Sequence, residues 1–230
     1  MTGVQTCALP IFISGHYGSG KTEFAVNYVS NLKEISKNKV AISDMDIVNV
    51  YFRSREKRDE LIAKGIEVFD SSLSASADLP AIPKEMLIPF VDKEYDYVVD
   101  LGGNDVGTIV LGRFKEHIDV SEVDFFMVIN VYRPDTQNVQ AILEQKEKLE
   151  RASGFKVTGF VNNSNLVRET KAEDLLYGDE IISEVSRLTG IPIKYTSYVK
   201  EVVTDMKPEI EKKLSGDVIP LKYYMREVWM

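Results

Sequence analysis

The octapeptide Gly15-His16-Tyr17-Gly18-Ser19-Gly20-Lys21-Thr22 constrains this chain more than any other stretch. It fits G-x-x-x-x-G-K-[ST] at every fixed position. Glycines let successive backbone N–H groups turn inward around phosphate oxygens, a path that a Cβ obstructs. Before the loop, Ile11–Ser14 is a short apolar run, as a buried strand requires. After it, Phe24, Ala25, Tyr28, Val29, Leu32 and Ile35 recur at spacings of three and four, which predicts an amphipathic helix opening near Lys21. A phosphate in the turn would meet the positive end of that helix. The expected roles follow. Gly15, Gly18, Ser19 and Gly20 hold phosphate, Lys21 reaches the β- and γ-phosphates, and Thr22 offers its hydroxyl to Mg²⁺. A dinucleotide reading, G-x-G-x-x-G, fails because Glu23 stands where the third glycine belongs.

Strand and helix signals alternate along the rest of the chain. Strands are predicted at 40–43, 66–69, 97–100, 125–130, 155–161 and, as the last one, 193–196. Helices are predicted at 55–64, near 84–91, and at 106–118, 134–151 and 171–189, the last stopped by Gly190. Residues 71–83, rich in Ser, Ala and Pro, read as a loop. Strands that are nearly continuous apolar runs, each followed by a helix, imply α/β architecture: a doubly wound, mostly parallel sheet with helices on both faces.

Composition sets the remaining bounds. A chain of 230 residues with 44% hydrophobic content can bury one full core. No apolar run reaches the roughly 20 residues needed to cross a bilayer, so a cytoplasmic protein is expected and membrane association is not. One cysteine and two histidines offer neither an internal disulfide nor much of a zinc site. A formal net charge of −8 argues against specific nucleic-acid binding. Thr2–Ile11, TGVQTCALPI, resembles the translation of a sequencing-library adapter. That resemblance sets residues 1–11 aside as foreign, removes Cys7 from the chemistry, and leaves 12–230 as a single nucleotide-binding domain. Pro10 suits a first or edge position in a strand.

Two further motifs carry chemistry. In Tyr95-Asp96-Tyr97-Val98-Val99-Asp100-Leu101-Gly102-Gly103, a buried strand ends in an aspartate that can hold Mg²⁺ directly or through water. The following Gly103 lets a backbone N–H approach a γ-phosphate. A strand-ending aspartate also serves as a turn or cap; its pairing with a phosphate loop favours the metal role. The second strand ends in Ser43-Asp44-Met45-Asp46-Ile47-Val48-Asn49, whose two carboxylates on one turn repel unless solvated or facing a cation.

Together the phosphate loop, this D-x-D turn and the YDYVVDLGG strand resemble the MinD/ParA/nitrogenase-iron-protein group of P-loop ATPases, the SIMIBI class. The likeness spans roughly residues 13–196. It implies ATP and Mg²⁺ as ligands, Asp46 beside the attacking water with Asp44 supporting it, and Asp100 as the Walker B carboxylate. Gly159-Phe160-Val161-Asn162-Asn163 is similar to the strand that ends in this group's adenine-contacting asparagine, which implies that role for Asn163. One position departs. Where MinD and ParA proteins carry a second lysine that reaches across a nucleotide-sandwich dimer, this chain has His16. A shorter, mostly neutral imidazole does not replace a lysine clamp, so the homodimer is in doubt unless Arg53, Arg55 or Arg133 supplies the cation. Tyr51–Arg55 reads as a partner surface or as a helix start with its ring packed inward. The aromatic C-terminus, Tyr223 to Trp229, is expected to dock on the flank of the sheet. The expectation is thus an ATPase or nucleotide switch acting on an unidentified protein partner. The alternative is a small-molecule kinase or ATP-dependent ligase of the same fold, holding its acceptor near 51–58.

Overall fold

The computed structural model describes residues 10–45, 54–70, 84–102 and 118–225. Eight strands form one parallel sheet in the order β3-β2-β4-β1-β5-β6-β7-β8: β1 Ile11–Ser14, β2 Lys39–Asp44, β3 Ile66–Asp70, β4 Tyr95–Asp100, β5 Asp124–Ile129, β6 Gly159–Asn162, β7 Ile193–Val199 and β8 Asp217–Leu221. Among the described residues the helices are α1 Lys21–Ile35, α2 Ser54–Ala63, α3 Ile88–Val91, α4 Val139–Ser153, α5 Ala172–Thr189 and α6 Pro208–Glu211. The expected doubly wound α/β fold is the one observed.

Period-2 geometry sorts each buried strand between two cores. Phe12, Val99, Phe125, Met127 and Ile129 face one side, where they meet Ile142, Leu149 and Ile182 of α4 and α5. Ile11, Ile13, Val98, Phe126 and Val128 face the other side, against Phe24, Tyr28 and Leu32 of α1. Burial on both faces is why these strands carry no polar alternation.

Four boundaries differ from the sequence reading, each for a local reason. The strand at 193–196 is not the last, because β8 pairs in parallel with β7 from Tyr195–Asp217 to Val199–Leu221. Pro220 interrupts its apolar pattern, and a strand containing proline is tolerated at a sheet edge, where β8 lies. The helix expected from Pro134 begins at Val139. Pro134–Thr136 is a separate 3₁₀ turn, and Asn138 Oδ1 caps α4 by accepting from Ala141 N at 2.9 Å. The strand expected from Phe155 begins at Gly159, since Val157 N is taken by Glu150 Oε1 rather than by a neighbouring strand. Residues 84–91 divide into a 3₁₀ turn and the single turn α3. The predicted loop 71–83 and most of the predicted helix 106–118 lie outside the described residues.

Ile11 belongs to β1 and pairs with Val98 and Asp124; Pro10 immediately precedes this central strand, its carbonyl accepting from Asp124 N. At the other end, Tyr224 is buried in the α1-side core, and Glu23 of α1 accepts from Tyr224 N and Met225 N. The chain thus docks against α1 through Met225, and the rest of the segment expected on the sheet's flank lies outside the described residues.

Candidate functional site

The sheet changes winding direction at β1, between β4 and β5, and the crevice outside the carboxyl ends of such strands is where ligands bind. From Ser14 the chain enters the loop Gly15–Gly20. It packs so closely on β5 that a Cβ at Gly15 would lie 2.4 Å from the Val128 carbonyl oxygen. Gly18 and Gly20 have φ of 77° and 82°, the left-handed region that side chains disfavour. Gly20 is the N-cap of α1 and supplies no side-chain cap, which leaves the first-turn N–H groups to a ligand. Ser19 Oγ is buried with no hydrogen-bond partner among the described residues. An orphaned hydroxyl in a glycine cradle at a helix N-terminus fits an incoming phosphate oxygen. Lys21, the first residue of α1, is only 8% exposed.

Thr22 Oγ1 donates to Asp100 Oδ2 at 2.6 Å, joining the end of the loop to the end of β4 across 78 residues. Asp100 is 1% exposed. The β2–β4 register sets Asp44 directly opposite Asp100, and Met45 N donates to the Asp100 carbonyl at 2.8 Å. A hydroxyl and a carboxylate in contact, with a second carboxylate on the adjoining strand, are hard oxygen donors of the kind Mg²⁺ accepts. Asp46 and Gly103, singled out above, lie outside the described residues, as do Tyr51–Arg53.

Asn163 sits just past β6, 5% exposed, with both ends of its amide engaged. Nδ2 donates to the Ser19 carbonyl at 2.7 Å, and Oδ1 accepts from Ser197 Oγ at 3.0 Å. Its own N–H donates to Ile129 O at 2.8 Å. Asn163 therefore fastens the phosphate loop to β5, β6 and β7.

The turn after β5 grips the loop from its outer side. Arg133 Nε donates to the Gly18 carbonyl at 3.0 Å, and His16 Nε2 lies 3.1 Å from Asp135 Oδ2. His16, where the resemblance would place a clamping lysine, is thus engaged within its own chain. Tyr17, at the tip, is 78% exposed.

Beside the loop lies a cavity of ≈ 140 Å³. Gly18, Gly20, Arg133 and Asn163 line its loop end, and Val167, Val199, Val202 and Val203 make it apolar. Val167 has φ of 60°, an uncommon conformation for a β-branched residue. It is held by Asn165 Oδ1, which accepts from Val167 N, and by Thr170 Oγ1, which donates to Val167 O. Tyr198 adds a neutral wall: burial and its hydrogen bond to Glu211 push its phenol up to about 12. Glu23 also lines the cavity, but both of its carboxylate oxygens accept backbone N–H groups. Of these residues, sequence reasoning had found Gly18, Gly20 and Asn163, and had weighed Arg133 only as a dimer cation. The valines carry no motif, and only their convergence after β6 and β7 marks them.

No protein-family model matches the chain, and no curated protein matches it in sequence. Solved structures do resemble it. FtsY from Thermotoga maritima has 19% identity and a TM-score of 0.60 over 94% of this chain and 71% of its own. A nucleotide-binding protein in complex with ADP from Archaeoglobus fulgidus has 17% identity and a TM-score of 0.54 over 90% and 85%. FtsY from Elizabethkingia anophelis in complex with GDP has 16% identity and a TM-score of 0.55 over 84% of this chain. The chain spans 58% of that last protein's length, and 61% of chloroplast FtsY from Physcomitrella patens, which it also resembles. At these identities the likeness is one of fold, and the fold is that of the α/β P-loop nucleotide-binding proteins. Among the described residues, no helix is long and apolar enough to cross a membrane.

Proposed function

We propose that this chain binds Mg·ATP and hydrolyses it as a MinD/ParA-like ATPase or nucleotide switch. The observation that carries the reading is the 2.6 Å contact between Thr22 Oγ1 and Asp100 Oδ2. It brings the hydroxyl of one motif and the carboxylate of another to the mouth of a glycine cradle. In this reading the loop N–H groups and Lys21 hold the phosphate chain and neutralise charge that develops on the transferred phosphoryl group. Thr22 and Asp100 would hold Mg²⁺, which would supply positive charge to polarise the phosphate chain. By the family resemblance, Asp46, supported by Asp44, would orient the attacking water; by its place after Asp100 in the sequence, Gly103 would offer its N–H to the γ-phosphate.

The base pocket favours adenine. Guanine is recognised through donors at its N1 and N2, which call for a carboxylate. The one carboxylate lining the described cavity, Glu23, already accepts a backbone N–H at each oxygen. The output of the cycle is contact with a protein partner, and Tyr17, exposed at the tip of the loop, is available to meet it.

Calorimetric titration with ATP, ADP and GTP, with and without Mg²⁺, tests the reading. Mg·ATP should bind more tightly than GTP, and Lys21→Ala should abolish both ATP turnover and nucleotide-induced thermal stabilisation. Undiminished ATP binding by Lys21→Ala would sink the assignment of the loop, and tighter binding of GTP would overturn the base assignment.

A further inference from the structure

Arg133 is a half-buried cation at the edge of a largely apolar cavity, whose one lining carboxylate among the described residues, Glu23, accepts from two backbone N–H groups. Its hydrogen bond goes to a loop carbonyl, the Gly18 oxygen. In a phosphate loop the N–H groups turn toward the phosphates and the carbonyls turn away. A guanidinium fastened to a carbonyl therefore stands outside the cradle, on the side that continues into the cavity.

Its position is set in advance. Arg133 N donates to Asn130 O at 3.1 Å, and Thr136 Oγ1 donates to the same carbonyl at 2.7 Å. Asn130 Oδ1 accepts from Tyr132 N and Asn165 N, and its Nδ2 donates to Asn165 O, so the turn after β5 is fixed to the turn after β6. On either side of Arg133, Tyr132 is held by Asp174 Oδ1 at 2.5 Å and Asp135 lies against His16. The entropy of placing the arginine is largely spent before any ligand arrives.

We propose that Arg133 is a base-stacking residue: its planar guanidinium covers one face of the purine, and the cavity's aliphatic side chains enclose the rest. This rests on the nucleotide-binding reading above and adds to it the residue that recognises the aromatic part of the ligand. A guanidinium suits the role because it is planar, weakly hydrated and attracted to π-faces. Anchoring through Nε leaves that plane available while the arginine steadies the loop.

Calorimetry with two probes, Mg·ATP and Mg·tripolyphosphate, separates stacking from phosphate binding, because tripolyphosphate has no base. Arg133→Gln should weaken ATP binding about tenfold and leave tripolyphosphate within about twofold, a loss in the range of desolvated cation–π contacts. Arg133→Lys, which keeps the charge and loses the plane, should recover little of the ATP affinity. Should the glutamine variant fail to fold, the lysine variant alone carries the comparison. Equal weakening of both probes would make Arg133 a phosphate ligand and overturn the proposal. Unchanged ATP affinity, or full recovery by lysine, would overturn it as well. A wild-type protein that binds tripolyphosphate but gains nothing from the base would refute stacking and spare the phosphate site. Binding of neither probe would remove both readings.

Discussion

Removing the Asn163 amide should destabilise the protein before any nucleotide is present. Asn163→Ala deletes two buried hydrogen bonds, to the Ser19 carbonyl at 2.7 Å and from Ser197 Oγ at 3.0 Å. Each contributes about 0.5–1.5 kcal/mol net, and an acceptor left buried without a partner costs a further ~1–3 kcal/mol. Ser197 has a second acceptor in range, the Asn162 carbonyl at 3.5 Å, so the larger penalty falls on Ser19 O alone. The expected loss is about 2–6 kcal/mol. For a chain of this size that corresponds to a fall in Tm of roughly 4–24 °C. Asn163→Asp should be worse than alanine, because a carboxylate oxygen would then face the Ser19 carbonyl. The assay is urea unfolding of the nucleotide-free protein, with ATP affinity measured on the same variants. If alanine left the apo stability within about 0.5 kcal/mol of wild type while ATP affinity collapsed, the buttress argument would be refuted. The asparagine would then act on the base directly, as the family resemblance implies.

Two other perturbations test neighbouring parts of the structure. Gly20→Ala places a Cβ at φ of 82° and 2.4 Å from Asn163 Nδ2, so backbone strain and loss of the same buttress combine. The expected cost is about 2–4 kcal/mol in chemical denaturation, and a neutral result would mean that the loop does not need its left-handed residue. Glu150 reports on pH. Burial opposes its ionisation, but hydrogen bonds from Lys156, Val157 N and Lys146 outweigh this and hold its pKa below the ordinary 4.5. A carboxyl depressed by folding stabilises the fold above its unfolded pKa, and that contribution is lost as pH falls through the folded value. Glu150→Gln should therefore flatten the loss of stability below about pH 4.5, and an unaltered acid limb in unfolding measurements would contradict the assignment.

Much of the site was legible because a phosphate loop is a local device. Its glycines, lysine and threonine are contiguous, and the strand before and helix after them announce themselves by period. Asp100 was legible for a similar reason: an acid closing an apolar run can sit only at a strand's end. Asn163 was found by resemblance, yet its engagement with Ser19 and Ser197 could not be read, since the three residues come from separate crossovers. His16 was recognised as a departure, but its partner Asp135 lies more than a hundred residues away and carries no pattern. β8 was missed because Pro220 breaks the apolar run on which strand prediction depends.

The sequence by itself determined the architecture and the backbone path of the loop, since glycine conformational freedom, apolar periodicity and short-range turn geometry are properties of adjacent residues. Tertiary structure alone decided what surrounds that loop. Parallel strands linked by crossovers set Asp44 beside Asp100, Asn163 under Ser19, Arg133 on Gly18, and four valines from the end of β7 and two turns into one cavity. Those neighbours are distant in the chain, and only the register and order of the sheet bring them to one edge.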